Sequence, residues 1–98
     1  MPFAYNYHFE LLKNEAEELV LHELEIQLEA QGPEICRCDE CVMDMAAMSL
    51  NTVKPMYRYS LLGTIYASQV MNEKPYADSV QQAVANAIVK VSSNPGHS

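Results

Sequence analysis

Cys36-Arg37-Cys38-Asp39-Glu40-Cys41 holds every cysteine of the 98-residue chain, three thiols within six positions. Thiols that close usually share one job, either a metal ion or redox chemistry. Helix-forming sequence stands on both sides, so the fold turns on what joins two helices at this point. Downstream, Asp39 is placed to cap a helix running to about Thr52. That helix reads Cys41-Val42-Met43-Asp44-Met45-Ala46-Ala47-Met48-Ser49-Leu50-Asn51. It is apolar nearly all round and belongs at the centre of the domain. Asp44, the one charge within it, is expected to serve as a structural acceptor for nearby donors.

Upstream, Glu34 to Cys38 is a short connection behind a stop at Gln31-Gly32-Pro33, with Gly after the last turn and Pro beyond it. A helix is expected from His8 to about Ala30. Phe9, Leu12, Ala16, Leu19, Val20, Leu24 and Leu28 recur at helical spacing and form its apolar face. Leu11, Leu21 and Ile26 lie off that stripe, as burial on two sides in a dimer would require. The outward residues are mostly Glu, a solvated face. Residues 1–7 form an aromatic arm, with Asn6 placed to cap the helix and Phe3, Tyr5 and Tyr7 to pack on the body or on a second subunit.

Beyond the central helix, Met56-Tyr57-Arg58-Tyr59-Ser60 alternates and is expected to be extended. Gly63 punctuates the chain, and Thr64-Ile65-Tyr66 continues as strand or enters a short helix through Met71. Lys74-Pro75 breaks the chain again. The last helix, roughly Tyr76 to Val91, carries a regular stripe of Tyr76, Val80, Ala83, Val84, Ala87, Ile88 and Val91. Residues 94–98 form a non-helical tail. The fold class is therefore mainly α, a small helical domain (1–98) with a short extended segment and a Cys-rich knuckle.

Net charge is −7, with only Lys13, Arg37, Lys54, Arg58, Lys74 and Lys90 basic. Such a chain is a poor ligand for a duplex phosphate backbone. No stretch approaches the roughly 20 apolar residues of a membrane span. No basic-then-apolar leader stands at Met1-Pro2-Phe3-Ala4-Tyr5, so clustered thiols point to a reducing cytoplasm. There is no Gly-rich phosphate loop, nucleophile elbow or His-Glu-x-x-His, so binding rather than catalysis is expected.

For the cysteines, zinc is the leading reading. Cys38-x-x-Cys41 is a metal-knuckle spacing that Cys36 can join, and a structural zinc takes four ligands. His97 in the tail is the first choice for the fourth, ahead of His22 and Asp44. A thioredoxin-like redox pair at a helix start is the competing use, but the alternating strands of that fold are missing. Three unrelated buried thiols are a third possibility, which the clustering argues against.

The cysteine pattern with its surroundings resembles the ComFB family, the late competence development proteins of bacteria. The resemblance rests on Cys36-x-Cys38-x-x-Cys41-x-x-Asp44, then Ala47, Leu50 and Asn51, then Pro55-x-Tyr57. Asn14-x-x-Glu17-x-x-Val20 upstream fits as well, as do Gly63, Tyr66 and Asn94-Pro95-Gly96-His97 downstream. It implies a mainly helical homodimer with zinc at the cysteines. It also implies a receptor for a cyclic dinucleotide second messenger, c-di-GMP or c-di-AMP, acting on a downstream protein. Two departures stand out. His97 occupies the region where some relatives supply a fourth cysteine, and Val53-Lys54-Pro55 replaces the Leu-Pro-Pro of many relatives. A cyclic dinucleotide wants cations on two phosphates and planes on two purines. Lys54, Tyr57, Arg58 and Tyr59 interleave both kinds of group, and Arg37 can join them from the knuckle. The alternative function is a protein–protein adaptor in competence or motility, without a small ligand.

Overall fold

The stripe on the last helix sets the core. Residues 2–96 are described by the structure, a computed structural model of the chain. Helix α5 spans Lys74–Ser93 and buries Tyr76, Val80, Ala83, Val84, Ala87, Ile88 and Val91, the seven positions whose spacing defines the stripe. Lys74-Pro75 opens this helix. Proline is at home in a first turn, where its missing N–H leaves no bond unmade.

Helix α3, Asp39–Thr52, lies along α5, and helix α2, Ala16–Ala30, packs against both. From α2 come Ala16, Val20, Leu24 and Leu28, and from α3 come Cys41, Met45, Ala46 and Ser49. Ser49 is buried without penalty because its hydroxyl donates to the Met45 carbonyl at 2.8 Å. α3 is central as expected, but Met43, Ala47 and Met48 on its other side remain exposed. Asp44 is exposed as well.

The first long helix begins eight residues later than its periodicity suggests. Phe9–Leu11 form a single 3-10 turn, and Lys13–Asn14 form a two-residue strand, β1. β1 pairs antiparallel with β2, Tyr57–Arg58, in the register Lys13↔Arg58 and Asn14↔Tyr57. Asn14 fixes the start of α2, since its side-chain oxygen accepts from Ala16 N at 3.2 Å and from Met56 N at 2.7 Å. The helix thus trades its first two turns for a long-range pairing, which leaves Phe9 and Leu12 exposed. Asn6 caps nothing further on. Its N–H donates back to the Phe3 carbonyl, closing a short helix α1, Pro2–Tyr5. Phe3, Tyr7 and Phe9 stack on one another, with ring centroids 5.0–5.8 Å apart, and stay at the surface instead of entering the core.

The segment left open between strand and helix is helical. α4 spans Leu61–Met71, capped by Ser60, whose hydroxyl accepts from Gly63 N at 3.1 Å. Gly63 lies inside its first turn and does not break it. α4 meets β2 and α5.

Candidate functional site

The knuckle is built by the start of α3. Its N-cap is Cys38, one residue before the expected Asp39, and the Cys38 sulfur accepts from Cys41 N at 3.5 Å. Asp39 and Glu40 instead occupy the first turn, where carboxylates suit the positive end of the helix dipole. The side-chain ligand atoms of Cys36, Cys38 and Cys41 all lie within 4.8 Å of one another. Sulfurs on one tetrahedral zinc stand about 3.8 Å apart, the edge length that 2.3 Å bonds give, so a small closure suffices. The donor set fits a soft, four-coordinate cation.

The three thiols are not equivalent. Cys41 is 1% exposed. Burial pushes its thiol up to about 12, helped by hydrogen bonds and charge from Cys36 and Cys38. Cys36 is lowered instead, first by the Cys38 backbone N–H and then by the Cys38 and Cys41 side chains. A metal cation at the three sulfurs would favour the deprotonated form of each. The surroundings do not favour a redox pair, since the sheet among the described residues has only two strands.

Arg37 ties the knuckle to α2. Its guanidinium donates to the carbonyls of Leu28 at 2.5 Å, Ile35 at 2.8 Å, and Gln31 and Gly32 at 3.3 Å. Helix ends leave carbonyls without intrahelical partners, and an arginine just past the stop can bond to them. Arg37 is a candidate for a ligand's phosphates, and in the structure its guanidinium bonds to the end of α2 and to the connection that follows.

His97 lies outside the described residues. The chain just before it reaches α3, because a Cβ on Gly96 would stand 3.1 Å from Asp44 Oδ2. Asp44 is one helical turn after Cys41. His22 is exposed and lines a hollow with Glu15, Glu18, Leu19 and residues from the end of α4. It is not part of the cysteine group.

The second candidate stretch is split. Tyr57 and Arg58 line a hollow of about 440 Å³ with Lys13, Asn14, Glu15, Glu17 and Glu18. Arg58 Nε donates to the Glu15 carboxylate, and both side chains are partly buried. Tyr59 faces a different hollow of about 580 Å³, made with Phe3, Tyr7, Phe9, Leu11 and Leu12. Lys54 is exposed, and its carbonyl accepts from the Tyr76 hydroxyl at 2.7 Å. The Tyr76 ring belongs to the core, and burial raises its phenol pKa. One chain therefore brings Tyr57 and Arg58 together but not Lys54, Tyr59 or Arg37. Glu15, which the sequence does not place beside Arg58, pairs with it. The signal lay in Asn14-x-x-Glu17, a cap pattern that marks a helix start here rather than at His8.

The family model for late competence development protein ComFB matches residues 13–95. That range opens on β1 and takes in the knuckle, both strands and α2–α5. Among solved structures, the late competence protein ComFB from Bacillus subtilis is 28% identical, with a TM-score of 0.65 over 87% of this chain and 92% of that one. No curated protein matches the sequence.

Proposed function

The chain belongs to the ComFB family of late competence development proteins, and from that premise we propose that it is a non-catalytic signalling domain, held by zinc and working as two copies, that binds a cyclic dinucleotide. The observation that carries the metal is the approach of three sulfurs to within 4.8 Å. Zinc is the choice because three thiolates and an imidazole make an ordinary structural set for it. The reducing cytoplasm, where such thiols stay available, is the matching compartment. No helix among the described residues is long and apolar enough to cross a membrane.

His97 is the proposed fourth ligand. The support is the position of Gly96 against Asp44, one turn from Cys41. A neighbouring Cα is only about 3.8 Å further along the chain. His97→Ala should speed zinc loss to a chelator and leave the helical circular dichroism unchanged, whereas His22→Ala should do neither. The reverse pattern would assign the ligand to His22.

For the nucleotide, the support is Arg58 and the exposed Tyr57 lining one hollow with Lys13. Glu15 is the group a phosphate would have to displace from Arg58. It also stands immediately before the first turn of α2, so exchanging the partner of Arg58 gives ligand occupancy a direct mechanical route to that helix. Titration calorimetry with c-di-GMP and c-di-AMP is the test. Arg58→Ala should cost about 1.5–3 kcal/mol of binding, the range for a hydrogen bond to a charged group. Glu15→Gln should tighten binding by removing the competing carboxylate. If Glu15→Gln weakens binding, the phosphate does not sit on Arg58.

The adaptor reading has an observation of its own. Arg58 is already paired with Glu15, Arg37 is spent on carbonyls, and the hollow beside Arg58 carries three glutamates. Such a site repels an anion until it rearranges. Absence of heat with either nucleotide at low salt would make a partner protein the ligand of this domain.

A further inference from the structure

Arg37 is flanked by Cys36 and Cys38, yet its guanidinium bonds outside the cysteine group. Nη2 donates to the carbonyls of Leu28 at 2.5 Å and Gln31 at 3.3 Å, and Nη1 to those of Ile35 at 2.8 Å and Gly32 at 3.3 Å. Leu28 lies in the last turn of α2 and Gln31 is its C-cap. Gly32 and Ile35 belong to the connection that leads into the cysteines. The C-terminal end of a helix carries partial negative charge, and α2 has no basic residue in its last turn. Arg37 supplies, from beyond the stop, the cation that this end favours.

This fork also bears on the metal ligands. Residues 31–38 form neither helix nor strand, and ligands carried on such a segment are held less precisely than ligands on a helix. Successive Cα atoms are about 3.8 Å apart, so pinning Arg37 against α2 fixes the backbone that carries both Cys36 and Cys38. Cys41 is held differently, being 1% exposed and part of α3. The charge is matched as well. Three thiolates around a divalent zinc leave a net negative site, in a chain already at −7, and Arg37 is the basic residue next to it in sequence. An ammonium is a point charge without the planar fork that meets four carbonyls here.

We propose that Arg37 is a positioning residue for the metal: by clamping the connection to the end of α2, it holds Cys36 and Cys38 ready for zinc and sets how firmly the ion is kept. The inference rests on the zinc reading proposed above and adds a residue outside the ligand set. Groups that orient metal ligands are typically worth about 10–100-fold in metal affinity, and Arg37 is assigned that share.

Two measurements on the full, zinc-loaded chain test this, zinc loss to a chelator and the alkylation rate of each cysteine with iodoacetamide. Arg37→Gln should speed zinc loss about 10–100-fold, and Arg37→Lys should recover part of the difference. In Arg37→Gln, alkylation should accelerate at Cys36 and Cys38 by far more than at Cys41, because the connection opens while α3 stays packed. Ile88→Ala, a cavity in the α5 part of the core, is the control. It weakens the whole domain and should accelerate all three cysteines by one common factor. If the wild type holds no zinc, the zinc reading and this inference fall together. If the wild type holds zinc and Arg37→Gln keeps it as firmly, the inference alone is overturned. It is equally overturned if Arg37→Gln accelerates all three cysteines together, as Ile88→Ala does, since Arg37 would then act on the fold and not on the ligands. Should Arg37→Gln not fold, Arg37→Lys is read by the same pattern: selective acceleration at Cys36 and Cys38 supports the role, and uniform or absent acceleration overturns it.

Discussion

Removing the metal with a strong chelator, or replacing Cys41 with Ser, should abolish the cooperative thermal transition or lower its midpoint by tens of degrees. Structural zinc contributes about 10–16 kcal/mol of apparent binding free energy at neutral pH, while a whole domain is stable by only about 5–15 kcal/mol. Loss of the site therefore removes a sum as large as the total. The structure says where the damage starts. Cys38 caps α3, and Arg37, between Cys36 and Cys38, donates to the Leu28 and Gln31 carbonyls at the end of α2. Opening the knuckle frees both helix ends together. Hydrogen exchange should show amides near Leu28–Gln31 and Cys41–Asp44 losing protection before the middle of α5. Cys41→Ser should be the most damaging of the three single changes, because Cys41 is 1% exposed and a hydroxyl there is cut off from bulk solvent. A melting curve unmoved by chelation would mean that the thiols are not a structural site.

The second large effect lies in the core. Met45 is fully buried on α3, the helix that lies along α5 and meets α2. Met45→Ala should cost about 2–5 kcal/mol, the range for removing a buried side chain of this size and leaving a cavity. In a domain of this length that corresponds to roughly 10–30 °C in melting temperature. Met43, two residues away on the same helix, is 67% exposed. Met43→Ala should change stability by less than about 0.5 kcal/mol, as surface changes usually do. Denaturant unfolding of both variants checks the prediction. Equal costs would mean that α3 is rotated from the orientation described here, or that a partner covers Met43.

Legibility of this fold in its sequence followed the range of the forces involved. The α5 stripe was readable in full because seven apolar positions at helical spacing have one consistent burial. The stop at Gln31-Gly32-Pro33 was equally local, and α2 does end at Ala30. The start of α2 was misread because the apolar spacing continues back to Phe9, while the event that ends the helix, Asn14 accepting from Met56 N, spans 42 residues. α4 was ambiguous for a different reason. It is apolar on every side, so it has no period to read, and its exposure on a single chain has no local cause. At the site, the cysteine cluster was evident from spacing alone. The uses of Arg37 and Arg58 were not, since each is decided by partners, α2 carbonyls and Glu15, that the sequence does not place beside them. Cys38 rather than Asp39 as the cap is the small version of the same point: the exposed Cys38 sulfur accepts from Cys41 N where the knuckle turns into α3.

Native mass spectrometry of the chain purified under reducing conditions tests the central claim most directly. The expected result is a mass accounting for one zinc per chain, with three cysteines protected from alkylation until a chelator is added. A metal-free mass, with Cys36, Cys38 and Cys41 alkylated as readily in the native protein as in the unfolded one, would contradict it.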